Sequence, residues 1–184
     1  GSAAAACSDT QPREWAEIAV QIRFRQRVHT MNLHRRAFST GLLCLPLAQA
    51  LPAQAQSADV WPAQRAWDAL NADDIRMIDV RARSEWAATG VAAQAWPISM
   101  HENRFSDRLF AARDLAGERQ IALICATGGR SGYIQRSLRK AGYTGFIDVS
   151  EGMLGSDLGV GWIAAGLPVV PLDDALAALP PALL

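Results

Sequence analysis

The 184-residue sequence has few cysteines, few histidines and no long apolar run, and its formal net charge is zero. The 18 basic side chains balance the 18 acidic ones, which argues against a nucleic-acid partner bound through a basic face. Half of the residues are apolar, whereas a disordered chain combines low hydrophobicity with a charge imbalance. The composition therefore fits one globular domain of ordinary size.

The zero net charge is the sum of two unlike parts. Residues 1–55 carry 6 Arg and 3 acidic residues, which gives +3. Residues 56–184 carry 11 Arg, 1 Lys and 15 acidic residues, which gives −3. Such asymmetry raises the question of whether both parts remain in the mature protein.

Residues 31–55 resemble a secretory signal peptide. A short basic segment precedes an uncharged apolar run over 41–51, and Ala53-Gln54-Ala55 is a small-x-small site suited to signal peptidase. The run is about half the roughly 20 residues that a membrane-spanning helix needs. We therefore expect an exported, periplasmic protein without stable membrane insertion after signal removal. A buried amphipathic N-terminal helix is the structural alternative.

The signal segment fits two export routes. Arg35-Arg36 followed by Phe38 fits a twin-arginine signal, but Ser39 and Thr40 stand where Leu and Lys are usual. The general secretory route is the alternative.

Met31 is the first methionine, and we expect it to be the start residue. Residues 1–30 then form an upstream extension or a segment left by tag removal, since Gly1-Ser2 is a common scar of that step. The predicted organisation is an extension over 1–30, a signal peptide over 31–55 and one domain over 56–184.

Apolar periodicity predicts alternating helices and strands in the last part of the chain. Helices are expected over 62–70, 84–88, 103–115, 131–141 and 173–179, with Ser84 and Ser131 as N-caps, and strands over 75–80, 95–98, 121–124 and 145–149. Residues 121–124 are uninterruptedly apolar, which is typical of a central parallel strand, and Pro97 is expected either on an edge strand or at the start of a strand. The pattern predicts an α/β fold with a mainly parallel sheet.

Cys125 is the only cysteine after residue 55, because Cys7 and Cys44 lie upstream. A disulfide framework is therefore excluded within the predicted domain, and its stability must come from a packed core. A lone thiol is either an inert buried residue or a reactive group.

The residues around Cys125 favour the reactive interpretation. An apolar strand leads into Cys125-Ala-Thr-Gly-Gly-Arg130-Ser131, and a helix follows. The carboxyl end of a parallel strand and the N–H groups of a helix N-terminus then face one space, which favours an anion and a thiolate. Gly128 and Gly129 let the loop turn its amides inward, and Arg130 adds a cation.

Other chemistries have little support. His101 is the only histidine after residue 55, it lies outside the loop, and we expect it at the surface, so a cysteine–histidine protease is disfavoured. The sequence offers no metal-ligand cluster, and the glycine loop lacks the Lys of a phosphate-binding loop. We therefore expect no cofactor, no metal and no nucleic-acid partner.

Three segments in order resemble the rhodanese family of sulfurtransferases. Cys125-x-x-Gly128-x-Arg130-Ser131 resembles its active-site loop, 78–81 with Glu85-Trp86 and Gly90 its first-strand signature, and 145–168 its closing segment. The resemblance runs from about residue 57 to 171. It implies a three-layer α/β/α fold with a mainly parallel central sheet.

The resemblance also implies a double displacement. Cys125 takes a sulfane sulfur from thiosulfate or another persulfide donor and passes it to a thiophilic acceptor such as a thiol or cyanide. Arg130 orients the small anionic donor. The substrate-binding residues expected with it are Ala126, Thr127, Gly128, Gly129 and Ser131. Asp79 and Arg81 are expected to support the site through a structural ion pair or hydrogen bond near the strand end, with a catalytic role for these charges as the alternative. Glu85 is a candidate partner for Arg81.

The sequence departs from the family at Ala126, where many members carry a basic residue, so thiosulfate is expected to be a poor donor. Residues 155–161 lengthen the closing segment and either border the pocket or form a plain surface loop. A non-catalytic persulfide carrier or an anion- or partner-binding module is the main alternative. Phosphatases and arsenate reductases of similar fold place five residues between Cys and Arg, against four here.

Overall fold

A computed structural model of the chain describes residues 59–184. The predicted extension over 1–30 and the predicted signal peptide over 31–55, with its two export routes, lie outside the described residues. In the part of the chain that is described, no helix has the length and apolar character needed to cross a bilayer.

A five-stranded parallel sheet forms the centre of the fold. Its strands are β1 (Val60–Trp61), β2 (Ile75–Asp79), β4 (Ala95–Pro97), β5 (Gln120–Ile124) and β6 (Phe146–Val149), in the spatial order β1-β6-β5-β2-β4. The apolar strand β5 is in the middle and pairs with β2 and β6, as its composition predicted. Pro97 lies on the edge strand β4, where a missing N–H costs no ladder hydrogen bond.

Helices cover both faces of this sheet. They are α1 (Ala63–Asn71), α2 (Arg83–Thr89), α3 (Phe105–Ala116), α4 (Gly129–Lys140), α5 (Gly161–Ala164) and α6 (Leu172–Ala177), followed by a 3-10 turn at Pro181–Leu183. On one face Ile121 and Leu123 of β5 pack with α3 and α4. On the other face Ala122 and Ile124 pack with α1, α2 and α5. The predicted three-layer α/β/α fold is confirmed.

Two predicted helix caps are wrong. Ala82, not Ser84, caps α2, and its N–H donates to the Glu85 carboxylate at 2.8 Å, which satisfies an N-terminal donor. Gly128, not Ser131, caps α4, in the left-handed conformation with φ 81°. Ser131 therefore lies inside the first turn of α4.

A small antiparallel sheet was not predicted. It pairs β3 (Val91–Ala92) with β7 (Val169–Val170) and ties the segment after α2 to the end of the chain. Strands of two residues, β1 included, carry no detectable periodicity, which is why the sequence pattern missed them.

Candidate active site

Cys125 directly follows the central strand β5, at the carboxyl edge of the sheet. It is 1% exposed. Its carbonyl oxygen accepts a hydrogen bond from Met153 N–H at 2.8 Å, and its Sγ lies 3.4 Å from the Ser131 Oγ. The sulfur is thus fixed at the base of the loop that leads into α4.

The loop after Cys125 is held against residues 150–154 by close backbone contacts. Leu154 N–H donates to the Ala126 carbonyl oxygen at 2.8 Å. A Cβ at Gly128 would overlap the Ser150 carbonyl, and a Cβ at Gly152 would overlap the backbone of Ala126. Both glycines also have positive φ, so these two positions require glycine for two independent reasons.

The first turn of α4 lies beside the Cys125 sulfur, because its Ser131 Oγ is 3.4 Å from the Sγ. The first N–H groups of an α-helix have no acceptor within the helix, and they carry the positive end of its dipole. Thr127 and Gly129 are exposed at the rim of the loop, whereas Gly128 and Ser131 are buried beneath it. These positions fit the predicted cradle of backbone donors around the sulfur, which stays a prediction.

Arg130 does not extend freely into this cradle. Its two terminal nitrogens donate to the two carboxylate oxygens of Glu85 on α2, at 2.7 and 2.5 Å. The hydrogen bond with Glu85 raises the pKa of Arg130. Burial opposes ionisation of Glu85, but the hydrogen bonds from Arg130 and from Ala82 N–H outweigh it and lower the pKa of Glu85.

This ion pair refines the expected role of Arg130. The guanidinium fork that an anionic donor needs is already occupied by a carboxylate. Donor binding by Arg130 stays a prediction, while a role in fixing the loop against α2 is directly visible. Sequence reasoning missed the partner, although Glu85 stands in the segment that carried the family resemblance.

The comparison with protein families decides the family. The family model of the rhodanese-like domain matches residues 62–155. This range includes α1, the Cys125 loop, α4 and β6. The chain belongs to the rhodanese-like domain family. A comparison with curated proteins found no match.

In this rhodanese-like domain, Asp79 and Arg81 form a buried ion pair. Arg81 Nη2 lies 2.7 Å from Asp79 Oδ2, and neither side chain is more than 1% exposed. Arg81 also donates to the Thr89 hydroxyl and to the Gly90 carbonyl, both at 2.7 Å. The pair therefore fixes the end of β2 to α2. Glu85 forms its ion pair with Arg130 and not with Arg81, which corrects the expected pairing. The Arg81 charge only helps to lower the pKa of Glu85, after the larger effect of Arg130.

The remaining predicted residues fall outside the cradle. His101 is exposed, and Trp86 and Trp162 are fully buried core residues. The 155–161 segment contacts residues 150 and 151: Gly161 N–H donates to the Glu151 carboxylate at 3.3 Å, and Ser156 Oγ donates to the Ser150 carbonyl at 3.1 Å. That it borders the pocket stays a prediction. Over residues 59–184, no group of three His, Cys, Asp or Glu side chains is placed to hold a metal ion.

One buried carboxylate near the rhodanese-like loop was not predicted. Asp148 lies in β6 and is 5% exposed, and among residues 59–184 its Oδ1 has no hydrogen-bond partner. Burial raises the pKa of this carboxyl group. Its signal in the sequence is an acidic residue inside the otherwise apolar strand Phe146–Val149.

Proposed function

We propose that this rhodanese-like domain is a sulfurtransferase that carries a sulfane sulfur on Cys125. The observation that supports this best is the position of Cys125, buried at the start of a glycine-containing loop that leads into the N-terminus of α4. Backbone donors in this arrangement stabilise a small anion, and a persulfide ends in an anionic sulfur.

The proposed cycle has two displacements at sulfur. The Cys125 thiolate attacks the sulfane sulfur of the donor; the donor S–S bond breaks as the new S–S bond forms, and thiosulfate leaves as sulfite. An acceptor thiolate or cyanide then attacks the terminal sulfur of the persulfide. The Cys125 thiolate leaves with the electron pair of the broken bond, ready for the next donor.

The charges of the loop favour a donor of low charge. Arg130 is the only charged residue from Ala126 to Ser131, and Glu85 neutralises it. Ala126 adds no charge where many family members have a basic residue. Thiosulfate carries two negative charges, so backbone donors alone must hold it. We therefore propose that a thiol persulfide is a better donor than thiosulfate.

A persulfide carrier is the second candidate function, and the 1% exposure of Cys125 favours it. A carrier accepts sulfur and holds it until one particular partner opens or approaches the site. An oxyanion hydrolase has less support, because four residues separate Cys125 from Arg130 and make a narrower cradle than five.

Turnover separates the enzyme from the carrier. The full chain is incubated with glutathione persulfide or thiosulfate and with cyanide, and thiocyanate is measured over many equivalents. A sulfurtransferase forms thiocyanate catalytically, and Cys125→Ser abolishes it. A carrier forms at most one equivalent. Thiocyanate formation by the Cys125→Ser variant equal to wild type contradicts both functions.

We also propose that the domain acts in the periplasm, on the support of the signal-like pattern over 31–55. Cell fractionation of the expressed full chain tests this. Retention of the Arg35→Lys, Arg36→Lys double variant in the cytoplasm indicates the twin-arginine route, and its export indicates the general secretory route. Absence of the wild type from the exported fraction contradicts the proposal.

A further inference from the structure

Residues 154–163, which we call the apolar loop, expose a cluster of large apolar side chains. Within residues 59–184, seven large apolar side chains are exposed, and four of them lie in this short segment. They are Leu154, Leu158, Val160 and Ile163, each between 39% and 69% exposed. Single exposed apolar residues are ordinary, but several together mark a surface that binds another molecule.

The apolar loop is closed on itself. Ser156 N–H donates to the Gly159 carbonyl at 2.9 Å, and Gly159 N–H donates back at 3.2 Å, so Leu158 lies at the tip of a tight turn. At the base of the loop, a Cβ on Gly161 would lie 2.2 Å from the Gly155 nitrogen. The two limbs therefore touch, which keeps the four apolar residues within one small region.

The apolar loop is anchored to the backbone of the candidate nucleophile. Met153 N–H donates to the Cys125 carbonyl and Leu154 N–H donates to the Ala126 carbonyl, both at 2.8 Å. Met153 and Trp162 are fully buried, and they fix the two ends of the loop in the core. A molecule that docks on the apolar loop therefore lies next to the Cys125 loop.

The charges around the apolar loop have one sign. Glu151 and Asp157 are the charged residues of positions 150–164, and Asp157 is exposed. Glu85 neutralises Arg130 in the neighbouring Cys125 loop, and residues 56–184 together carry −3. A complementary partner therefore combines apolar side chains with a basic one.

The size and charge of the apolar loop fit a transient protein partner better than other occupants. A stable protein interface takes about 20–30 residues from each side, and four exposed side chains in one short loop are far fewer. A dimer formed through two copies of this loop would also bring two Asp157 carboxylates together. An anionic membrane surface would repel the same carboxylate.

We propose that the apolar loop is the docking surface for a protein that takes the sulfur from Cys125 and presents its acceptor cysteine among apolar and basic side chains. This inference rests on the proposed transfer of a sulfane sulfur by Cys125. Because Cys125 is 1% exposed, a protein acceptor must be held in place while its cysteine reaches the sulfur. The acceptor thiolate then bonds to the terminal sulfur of the persulfide, and the Cys125 thiolate leaves with the electron pair of the broken S–S bond.

Synthetic peptides with one cysteine are the probes for this surface. The first peptide has Leu and Lys around the cysteine, the second has Ser and Lys, and the third has Leu and Glu. The full chain is loaded with glutathione persulfide, and sulfur transfer to each peptide and to cyanide is followed by mass spectrometry. The Cys125→Ser variant gives the background from Cys7 and Cys44.

The decisive comparison is between proteins, so that the intrinsic reactivity of each peptide thiol cancels. The Leu158→Ser, Val160→Ser double variant is expected to lower the ratio of the Leu-Lys peptide rate to the cyanide rate about tenfold. Leu115→Ser is the matched control, because Leu115 is also exposed but lies on α3, and it is expected to leave this ratio unchanged. Asp157→Asn is expected to slow transfer to the Leu-Lys peptide and not to the Leu-Glu peptide.

A binding measurement separates this proposal from the proposed function. A fluorescent Leu-Lys peptide with serine in place of its cysteine is titrated with the full chain, and its anisotropy is recorded. We expect saturable binding that the double variant weakens about tenfold and Leu115→Ser does not change. Circular dichroism checks that the variants fold, as expected for exchanges of exposed side chains.

The outcomes distinguish the two claims. Absence of peptide binding to the wild type, or equal binding and equal transfer ratios in the wild type and the double variant, overturns the docking surface. A chain that takes up no sulfur but binds the peptide through the apolar loop contradicts the proposed function and supports the docking surface.

Discussion

Arg130 and Glu85, 45 residues apart in the chain, form a two-point ion pair that connects the Cys125 loop to α2. Both side chains are partly buried, and each carries two hydrogen bonds of this pair. The conformation of the loop thus depends on a helix that belongs to a different part of the sheet.

The pair predicts strong energetic coupling between Glu85 and Arg130. Removing either partner alone leaves a partly buried charge without its counterion, so Glu85→Gln or Arg130→Ala is expected to cost about 1.5–3 kcal/mol of unfolding free energy. The double variant is expected to cost much less than the sum of the two. Urea denaturation of the four proteins measures this. Additive effects contradict a direct ion pair.

The same pair predicts a pH dependence in acid. The folded-state pKa of Glu85 lies below its usual value of 4.5, so the stability it contributes is complete above that value and is lost as the pH falls through the folded value. The stability difference between wild type and Glu85→Gln is therefore expected to be constant above about pH 5 and to shrink below it. Urea denaturation at several pH values measures the difference, and a difference that grows in acid is the opposite outcome.

Gly128 and Gly129 offer a matched pair of substitutions within the loop. Gly128→Ala places a methyl group on the Ser150 carbonyl at positive φ, and it is expected to destabilise the fold by more than about 2 kcal/mol and to slow alkylation or sulfur loading of Cys125. Gly129→Ala meets no atom within 4 Å and adds helix propensity, so it is expected to be neutral or stabilising. Equal effects of both variants contradict the described loop conformation.

Ala126 is expected to limit the use of thiosulfate. Ala126→Arg adds a cation beside Cys125 and is predicted to lower the KM for thiosulfate about tenfold, equivalent to about 1.4 kcal/mol. Ala126→Gln, which is long but uncharged, is the control and is expected to leave this KM unchanged. If both variants lower the KM for thiosulfate to a similar extent, the effect comes from side-chain size, and this result contradicts the charge argument.

The sequence predicted the parts of the fold that carry long apolar patterns. Ile121 to Ile124 indicated the central strand, and the 3.6-residue period of Phe105, Leu109 and Ala112 indicated α3 with its buried face. The Cys125 loop was predicted because its residues are contiguous, so their chemistry can be judged without knowing the fold.

Relationships between distant segments were not predictable in the same way. Glu85 was assigned to Arg81, its near neighbour, because sequence spacing gives no sign of contact with Arg130. Ser131 was the predicted cap because serine favours that position. The close approach of the Ser150 carbonyl requires glycine at position 128. This glycine is the N-cap, so α4 begins before Ser131. The burial of Asp148 was also not predictable, because it depends on how β6 packs against α4.

The formation of a persulfide on Cys125 is the most direct test of the proposed function. The full chain is reduced, incubated with glutathione persulfide, separated from the donor, and its intact mass is measured before and after a thiol acceptor is added. We expect the wild type to gain one sulfur atom and the acceptor to remove it, while Cys125→Ser gains none. A wild-type protein that gains no sulfur from either glutathione persulfide or thiosulfate, or a Cys125→Ser variant that gains as much, contradicts sulfur transfer through Cys125.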